Sequence, residues 1–209
     1  MISDYLAAAF QVWATSKTNK GWREFWRLKK LGIRWQLRNT SSFGPEIELK
    51  GPVIIRNKGT FTIGRQAVFN SNWYKPIYLS INNENAKLTI EKNVRINYGT
   101  EISLVDNVFI GAFSQISIDC LIYDTDWHSL DGLDREIPVA PVHIGRGVWL
   151  GARVVVLKGV HIGDNTVVAA NSLVTKDLPS CVLAGGSPAK VLRSVKRFRY
   201  IPGMEDPQE

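Results

Sequence analysis

Aliphatic residues recur at every sixth position through the second half of the chain: Ile144, Leu150, Val156, Ile162, Val168 and Val174. Upstream, Ile90, Ile96, Ile102 and Val108 keep the same step, and Ile110, Ile116 and Ile122 form another run slipped by two residues. A step of six matches neither the 3.6-residue turn of a helix nor a heptad. It fits strands of four or five residues joined by tight corners, each sending one aliphatic side chain inward. Three such segments close a triangular coil of about 18 residues, and coils that cannot bury an apolar side alone stack into one continuous core. The remaining positions agree. Asp106-Asn107, Asp164-Asn165 and Gly145-Arg146-Gly147 suit corners, where Gly, Asn and Asp tolerate unusual backbone angles, and the intervening Val and Ile favour extended chain.

The places where this rhythm fails mark the organisation. Residues 1–38 read as helical, with Ser3 capping a first helix, and 39–46 read as a linker. Irregular coils begin at Ile47. The segment Asn70–Pro76 breaks the pattern, regular coils resume near Leu88, and a loop containing Gly132, Pro138 and Pro141 is ejected over residues 129–142. After Val174 the ladder ends. Gly185-Gly186-Ser187-Pro188 turns the chain, and Ala189 to Arg199 is expected as a short basic helix capping the open end. The division is thus 1–46 (N-terminal amphipathic segment and linker), 47–183 (repeat domain) and 184–209 (cap and tail).

Bulk properties narrow the function. With 44% hydrophobic and 22% charged residues the chain is not disordered throughout, and 209 residues suffice for one substantial core. No stretch approaches the roughly 20 apolar residues of a membrane span, and no secretory signal opens the chain. Cys120 and Cys181 fit neither a disulfide framework nor metal-ligand spacing and read as free thiols of a reducing cytoplasm. The net charge is +7, most of it carried by residues 1–38, where eight Lys and Arg stand against Asp4 and Glu24. Trp22, Trp26 and Trp35 are interleaved with these bases. That pattern suits a helix packed on the repeat domain or a neighbouring subunit, and equally a helix lying at the inner face of a membrane. No nucleic-acid motif accompanies the charge, so nucleic acid is not expected as a partner.

The repeat ladder, Trp149-Leu150-Gly151-Ala152 and the string Gly185-Gly186-Ser187-Pro188-Ala189-Lys190-Val191-Leu192-Arg193 resemble the hexapeptide-repeat acyltransferases, over about residues 50–195. The resemblance is to maltose, galactoside and polysaccharide O-acetyltransferases. It implies an all-β protein built on a left-handed parallel β-helix; the general rule for parallel crossovers gives the opposite hand. It also implies a homotrimer with sites between subunits, acetyl-CoA as co-substrate with no metal, and a sugar or surface-polysaccharide precursor as acceptor.

His128 closes Asp124-Thr125-Asp126-Trp127-His128 at the foot of the ejected loop, where the family carries its catalytic base. A sugar hydroxyl attacks a thioester only as something takes its proton, and an imidazole with an ordinary pKa of about 6.5 suits that task. In the string Ile96-Asn97-Tyr98, Asn97 matches an acceptor-contacting asparagine, and an amide both donates to and accepts from a hydroxyl. Asp126 and Trp127 are further acceptor candidates. Relatives acting on maltose or galactosides carry an aspartate shortly after the asparagine, where this chain has Ser103 nearby. By the same resemblance Trp149, Ala152, Ala170, Thr175 and Lys176 match coenzyme-contacting positions, and Lys190 and Arg193 would meet its phosphates. Simple corner packing would equally require small residues at 152 and 170.

Other classes compete. Transfer to the amine of an aminosugar is the nearest variant. A zinc lyase resembling the β-helical carbonic anhydrases would need His128, His143 and His161 around one ion. A non-catalytic scaffold would need none of these residues.

Overall fold

The computed structural model describes residues 32–33, 36–129 and 136–196. Contacts divide the chain into Met1–Arg38 and Asn39–Glu209. The helices expected over 1–38 lie outside the described residues, save for one helical turn in which the Leu37 N–H donates to the Ile33 carbonyl at 2.9 Å.

From residue 39 onward the described chain is built of short strands that visit three sheets in rotation. Sheet A stacks β1 (Ser42–Phe43), β4 (Thr60–Ile63), β7 (Lys87–Ile90), β10 (Asn107–Ile110), β13 (Val142–Ile144) and β16 (His161–Ile162). Sheet B stacks β2 (Glu48–Leu49), β5 (Val68–Asn70), β8 (Arg95–Asn97), β11 (Gln115–Ile116), β14 (Trp149–Leu150), β17 (Val167–Val168), β19 (Val182–Gly186) and β20 (Ala189–Ser194). Sheet C stacks β3 (Val53–Asn57), β6 (Ile77–Ile81), β9 (Glu101–Leu104), β12 (Leu121–Tyr123), β15 (Val155–Val156) and β18 (Leu173–Val174). Every pairing between consecutive coils is parallel, so the chain is a three-sided parallel coil with corners A–B, B–C and C–A. β1 falls within the stretch expected as linker: Ser41 is drawn onto the stack because its hydroxyl accepts from the Phe61 N–H at 3.0 Å.

The six-residue ladder is the interior. Ile144, Leu150, Val156, Ile162, Val168 and Val174 are all fully buried, as are Ile102, Ile110, Ile116 and Ile122. In the last coils the step is 18 residues, His143 pairing with His161, Trp149 with Val167 and Val155 with Leu173. The slip of two has a simple cause. Strands β7 and β10 on sheet A each send two aliphatics inward, Leu88 with Ile90 and Val108 with Ile110, and the coil lengthens to 20 residues to hold them.

The corners repeat as strictly as the core. At A–B, Gln66, Asn93, Phe113, Gly147, Asn165 and Cys181 all have φ between 55° and 64°. Each donates its N–H to a carbonyl of the coil before, as Asn165 does to Arg146 at 2.8 Å. Asn and Gly are natural there, but Phe113 and Cys181 hold a left-handed backbone that such side chains seldom adopt. Stacking sets their conformation against their own preference.

One expectation is overturned. Residues 189–194 form a strand and not a helix: β20 turns back at Gly186 and pairs antiparallel with β19, Gly185 opposite Lys190 and Leu183 opposite Arg193. A helix there would leave the β19 edge unpaired, and the strand covers it. Residues 197–199 of the expected helix lie outside the described residues.

Candidate functional site

The coil is opened widely at the C–A corner. Pairing across β12 and β15 spans 34 residues, Leu121 with Val155, where neighbouring coils need 20 or 18. The excess begins at Asp124 and returns through residues 136–141. Its foot is closed by short antiparallel pairing: Thr125 bridges Val139, the Ala140 N–H donates to the Asp124 carbonyl at 2.9 Å, and the Asp126 N–H donates to the Pro138 carbonyl at 3.3 Å. Residues 130–135 of the expected loop lie outside the described residues.

Three aspartate and histidine positions in this foot differ sharply. The Asp124 side chain is fully buried and accepts from the backbone N–H groups of Val105 at 2.9 Å and Asp106 at 2.7 Å, bracing the corner of the coil before. Burial raises its pKa above the ordinary carboxylate value. Asp126 is exposed and forms an ion pair with Lys158 at 2.6 Å, tying the loop to the coil above. Trp127 holds φ at 61°, its N–H donating to the Thr125 hydroxyl at 3.2 Å, and this kink carries the chain outward to an exposed His128. The His128 ring belongs to the outer surface and not to the apolar interior.

The other candidates occupy two further places. Asn97 ends β8 on sheet B; its Nδ2 donates to the Ile116 carbonyl at 2.9 Å and its Oδ1 accepts from Asn70 at 3.0 Å. Trp149, also on sheet B, donates from Nε1 to the Ser117 hydroxyl at 3.2 Å. Ala152 and Ala170 lie at the B–C corner, Ala170 exposed. Packing explains part of their smallness, since a Cβ on neighbouring Gly151 would stand 2.6 Å from the Ala170 nitrogen. Thr175 and Lys176 are exposed at the C–A corner, and Lys190 and Arg193 are exposed on β20. Ser103 is buried and accepts from Asn82 Nδ2 at 3.2 Å. Within one chain His128, Asp126, Thr175 and Lys176 thus sit at one end of the sheet C strands, and Asn97, Ala152 and Ala170 at the other.

Sequence reasoning missed Lys158, which gives no motif and meets Asp126 only because corners stack. It also missed a groove of about 450 Å³ on the outer face of sheet A, lined by Lys87, Phe109, Pro141, His143 and His161 among others. There Phe109, His143 and His161 form a column, with ring centroids 4.6 and 4.5 Å apart and planes within 10° of parallel. Burial and the neighbouring His161 lower the His143 pKa. The 18-residue spacing of these histidines announced the column. Stacked rings aim their lone pairs side by side and do not converge on an ion, and no group of three or more potential ligands is gathered among the described residues.

Two further titratable groups are held neutral. Burial pushes the Cys120 thiol up to about 11, which removes it as a nucleophile, and burial together with Glu101 pushes Tyr123 up to about 12. Cys181 is likewise a free cysteine. No helix among the described residues is long and apolar enough to cross a membrane.

Residues 141–176 match the family model described as bacterial transferase hexapeptide (six repeats). The galactoside O-acetyltransferase of Escherichia coli (strain K12) is 33% identical over 141 residues, 64% of each protein. Among solved structures, a point mutant of AntD, an N-acyltransferase from Bacillus cereus, in complex with dTDP and coenzyme A aligns with a TM-score of 0.64 at 20% identity, covering 79% of this chain and 90% of that one. The polysialic acid O-acetyltransferase OatWY aligns with a TM-score of 0.51 at 23% identity, covering 78% and 93%. At these identities the structural likeness is one of fold. The chain spans between a third and two-thirds of the length of the curated relatives it matches.

Proposed function

Because the chain belongs to the bacterial hexapeptide-repeat transferases, we propose that it is an acyl-CoA-dependent acyltransferase moving an acetyl group from acetyl-CoA to a hydroxyl of a sugar or surface-polysaccharide precursor. The observation that carries this reading is the exposed imidazole of His128, lifted off the corner by the kink at Trp127 beside a loop that leaves an otherwise continuous coil. The O-acetyl assignment leans on the galactoside O-acetyltransferase, the relative matched over the longest stretch among those described above.

The chemistry follows from what an imidazole and a thioester do when held together. The acceptor oxygen attacks the acetyl carbonyl carbon while His128 takes the hydroxyl proton. The tetrahedral adduct collapses, the new C–O bond is kept, the C–S bond breaks, and the departing coenzyme A thiolate receives the proton from the imidazolium. No covalent enzyme intermediate is required, and much of the acceleration comes from orienting two substrates in one cleft. Asn97, Asp126 and Trp127 serve the acceptor in this reading; Trp149, Ala152, Ala170, Thr175 and Lys176 line the path of the donor, with Lys190 and Arg193 near its phosphates.

The assembly belongs to the same proposal. One chain divides these residues between the two ends of sheet C, and a cyclic trimer would set the His128 corner of one copy against the Asn97 corner of the next. We take the coil to be left-handed, as in the family. Residues 1–38, with their net positive charge and tryptophans, are proposed to reach anionic lipid at the inner face of the membrane.

The test is release of free thiol from acetyl-CoA in the presence of a panel of glycans, aminosugars included. Transfer to a hydroxyl supports the reading, and product carrying an amide redirects it to N-acetylation. Absence of coenzyme A binding leaves a scaffold.

A further inference from the structure

The second excursion from the coil lies at the B–C corner, between β5 and β6, and it presents two large aromatic side chains to solvent. Tyr74 is 97% exposed, more than any other large apolar side chain among the described residues, and Trp73 is 59% exposed. Exposed aromatics on a wandering loop would mean little. These are held on a braced arm. Asn72 Oδ1 accepts from the backbone N–H groups of Tyr74 at 3.0 Å and Lys75 at 2.9 Å, closing a tight turn under the two rings. Lys75 Nζ reaches both carboxylate oxygens of Asp119, at 2.9 and 2.6 Å, and the Lys75 carbonyl accepts from the Gly99 N–H at 3.2 Å. At the near end the Ser71 hydroxyl donates to the Pro52 carbonyl at 2.7 Å. Gly99 is required for the brace: its φ is +72°, and a Cβ there would collide with Asp119 Oδ1.

The arm rises directly from a row of amides. Asn70, the residue at which the coil is left, donates to Asn97, and Asn97 donates to Ile116, so both amide planes are fixed. The row continues to Ser117, which accepts from Trp149. The Asn70 side-chain oxygen accepts no bond from the described residues, and Asn70 is exposed. The one cation at the arm is matched by Asp119, so the surface beside the rings carries no unpaired charge.

We propose that Trp73 and Tyr74 form a stacking platform for an uncharged pyranose ring of the acceptor, with Asn70 and Asn97 reading its hydroxyls. Flat aromatic faces take up the C–H face of a sugar ring, and fixed amides discriminate hydroxyl positions by offering both a donor and an acceptor. A rigid arm loses little conformational freedom on binding. Neutrality selects a hexopyranose unit over an acidic one. This platform rests on the acyltransferase reading, and it adds a specificity element outside the imidazole corner.

The experiment uses the full chain labelled with 5-fluorotryptophan, its Trp73 line assigned from Trp73→Phe. Methyl β-D-glucopyranoside, methyl β-D-galactopyranoside and maltose are titrated to tens of millimolar and followed by fluorine NMR. The Trp73 line is expected to shift and saturate with at least one of them. Trp73→Ala and Tyr74→Ala are each expected to weaken that sugar about tenfold, as acceptor KM or as Kd, with the KM for acetyl-CoA unmoved and Trp73→Phe restoring most of the affinity. A Trp73 line that responds to none of the sugars overturns the platform, as does a change under twofold in Trp73→Ala. So does dissociation of the oligomer in Trp73→Ala, which would make the arm a contact between copies. A Trp73 line that shifts in a protein showing no acyl transfer leaves the platform standing and removes the transferase reading instead.

Discussion

Two excursions leave the same coil at opposite ends of sheet C, and each is pinned by a Lys–Asp pair at 2.6 Å, Lys75–Asp119 at one end and Lys158–Asp126 at the other. What they carry outward differs. The B–C arm bears two exposed aromatics and no titratable group beyond its paired lysine and the Tyr74 phenol. The C–A foot bears an exposed imidazole above a buried carboxylate. The arm is therefore equipped to hold a neutral surface, and the foot to move a proton. The regular stack between them supplies neither chemistry. It fixes the two ends relative to each other, which is what orientation of two substrates demands.

The sharpest way to break this division is to remove the imidazole. His128→Ala is expected to lower turnover by about 10² to 10⁴, the ordinary worth of a general base. Coenzyme A affinity and melting temperature should stay at their starting values, because the ring is exposed and braces nothing. A variant that instead melts early, with turnover per folded molecule intact, would return His128 to a structural role. Next in size comes Asp124→Ala. It leaves the Val105 and Asp106 N–H groups without their acceptor at a fully buried position, and denaturant unfolding should report a loss of about 2–3 kcal/mol. The same change at Asp119, an acceptor only for a half-exposed lysine, should cost well under half of that.

The two ends were not equally readable from sequence. The apolar ladder was plain because a period of six admits one arrangement of short strands, and every ladder position from Ile144 to Val174 is buried. His128 stood out because a motif ended where the rhythm failed. The arm was visible only as a break at Asn70–Pro76, since nothing local to Trp73 and Tyr74 says that Asp119, far along the chain, will brace them. Lys158 was illegible for the same reason: coil stacking, and not sequence proximity, chooses its partner. The strand at Ala189–Ser194 was mistaken because a short basic, half-apolar stretch suits a helix as well as a strand, and only the open edge of β19 decides between them.

A pH titration separates the buried carboxylate from the imidazole above it. Burial raises the Asp124 pKa, so the folded chain holds that proton more tightly than the unfolded chain. Its contribution to stability is then fully present below the unfolded value, about 3.8, and is lost as pH rises through the folded value. The amide introduced by Asp124→Asn cannot ionise and still offers an oxygen to Val105 and Asp106. The stability difference between that variant and the parent chain should therefore tilt towards the variant as pH climbs from about 4 to neutrality. A flat difference over that window would mean that the two backbone donors offset the burial fully. Turnover governed by His128 should not follow this curve.

The smallest effect tests whether the two pins are equivalent. Lys75→Met and Lys158→Met each remove one partly exposed cation, and exposed pairs contribute at most about 1 kcal/mol, so both variants should unfold near the parent midpoint. Their functional consequences should part. Lys158→Met frees the loop beside the imidazole and should lower kcat, whereas Lys75→Met frees the aromatic arm and should raise the acceptor KM with kcat kept. Combining the two should give the sum of the separate losses, because the pins lie at different corners and share no partner. If either single variant moved both constants together, the two ends of sheet C would not be separate devices for binding and for proton transfer, and the division of labour drawn between them would fail.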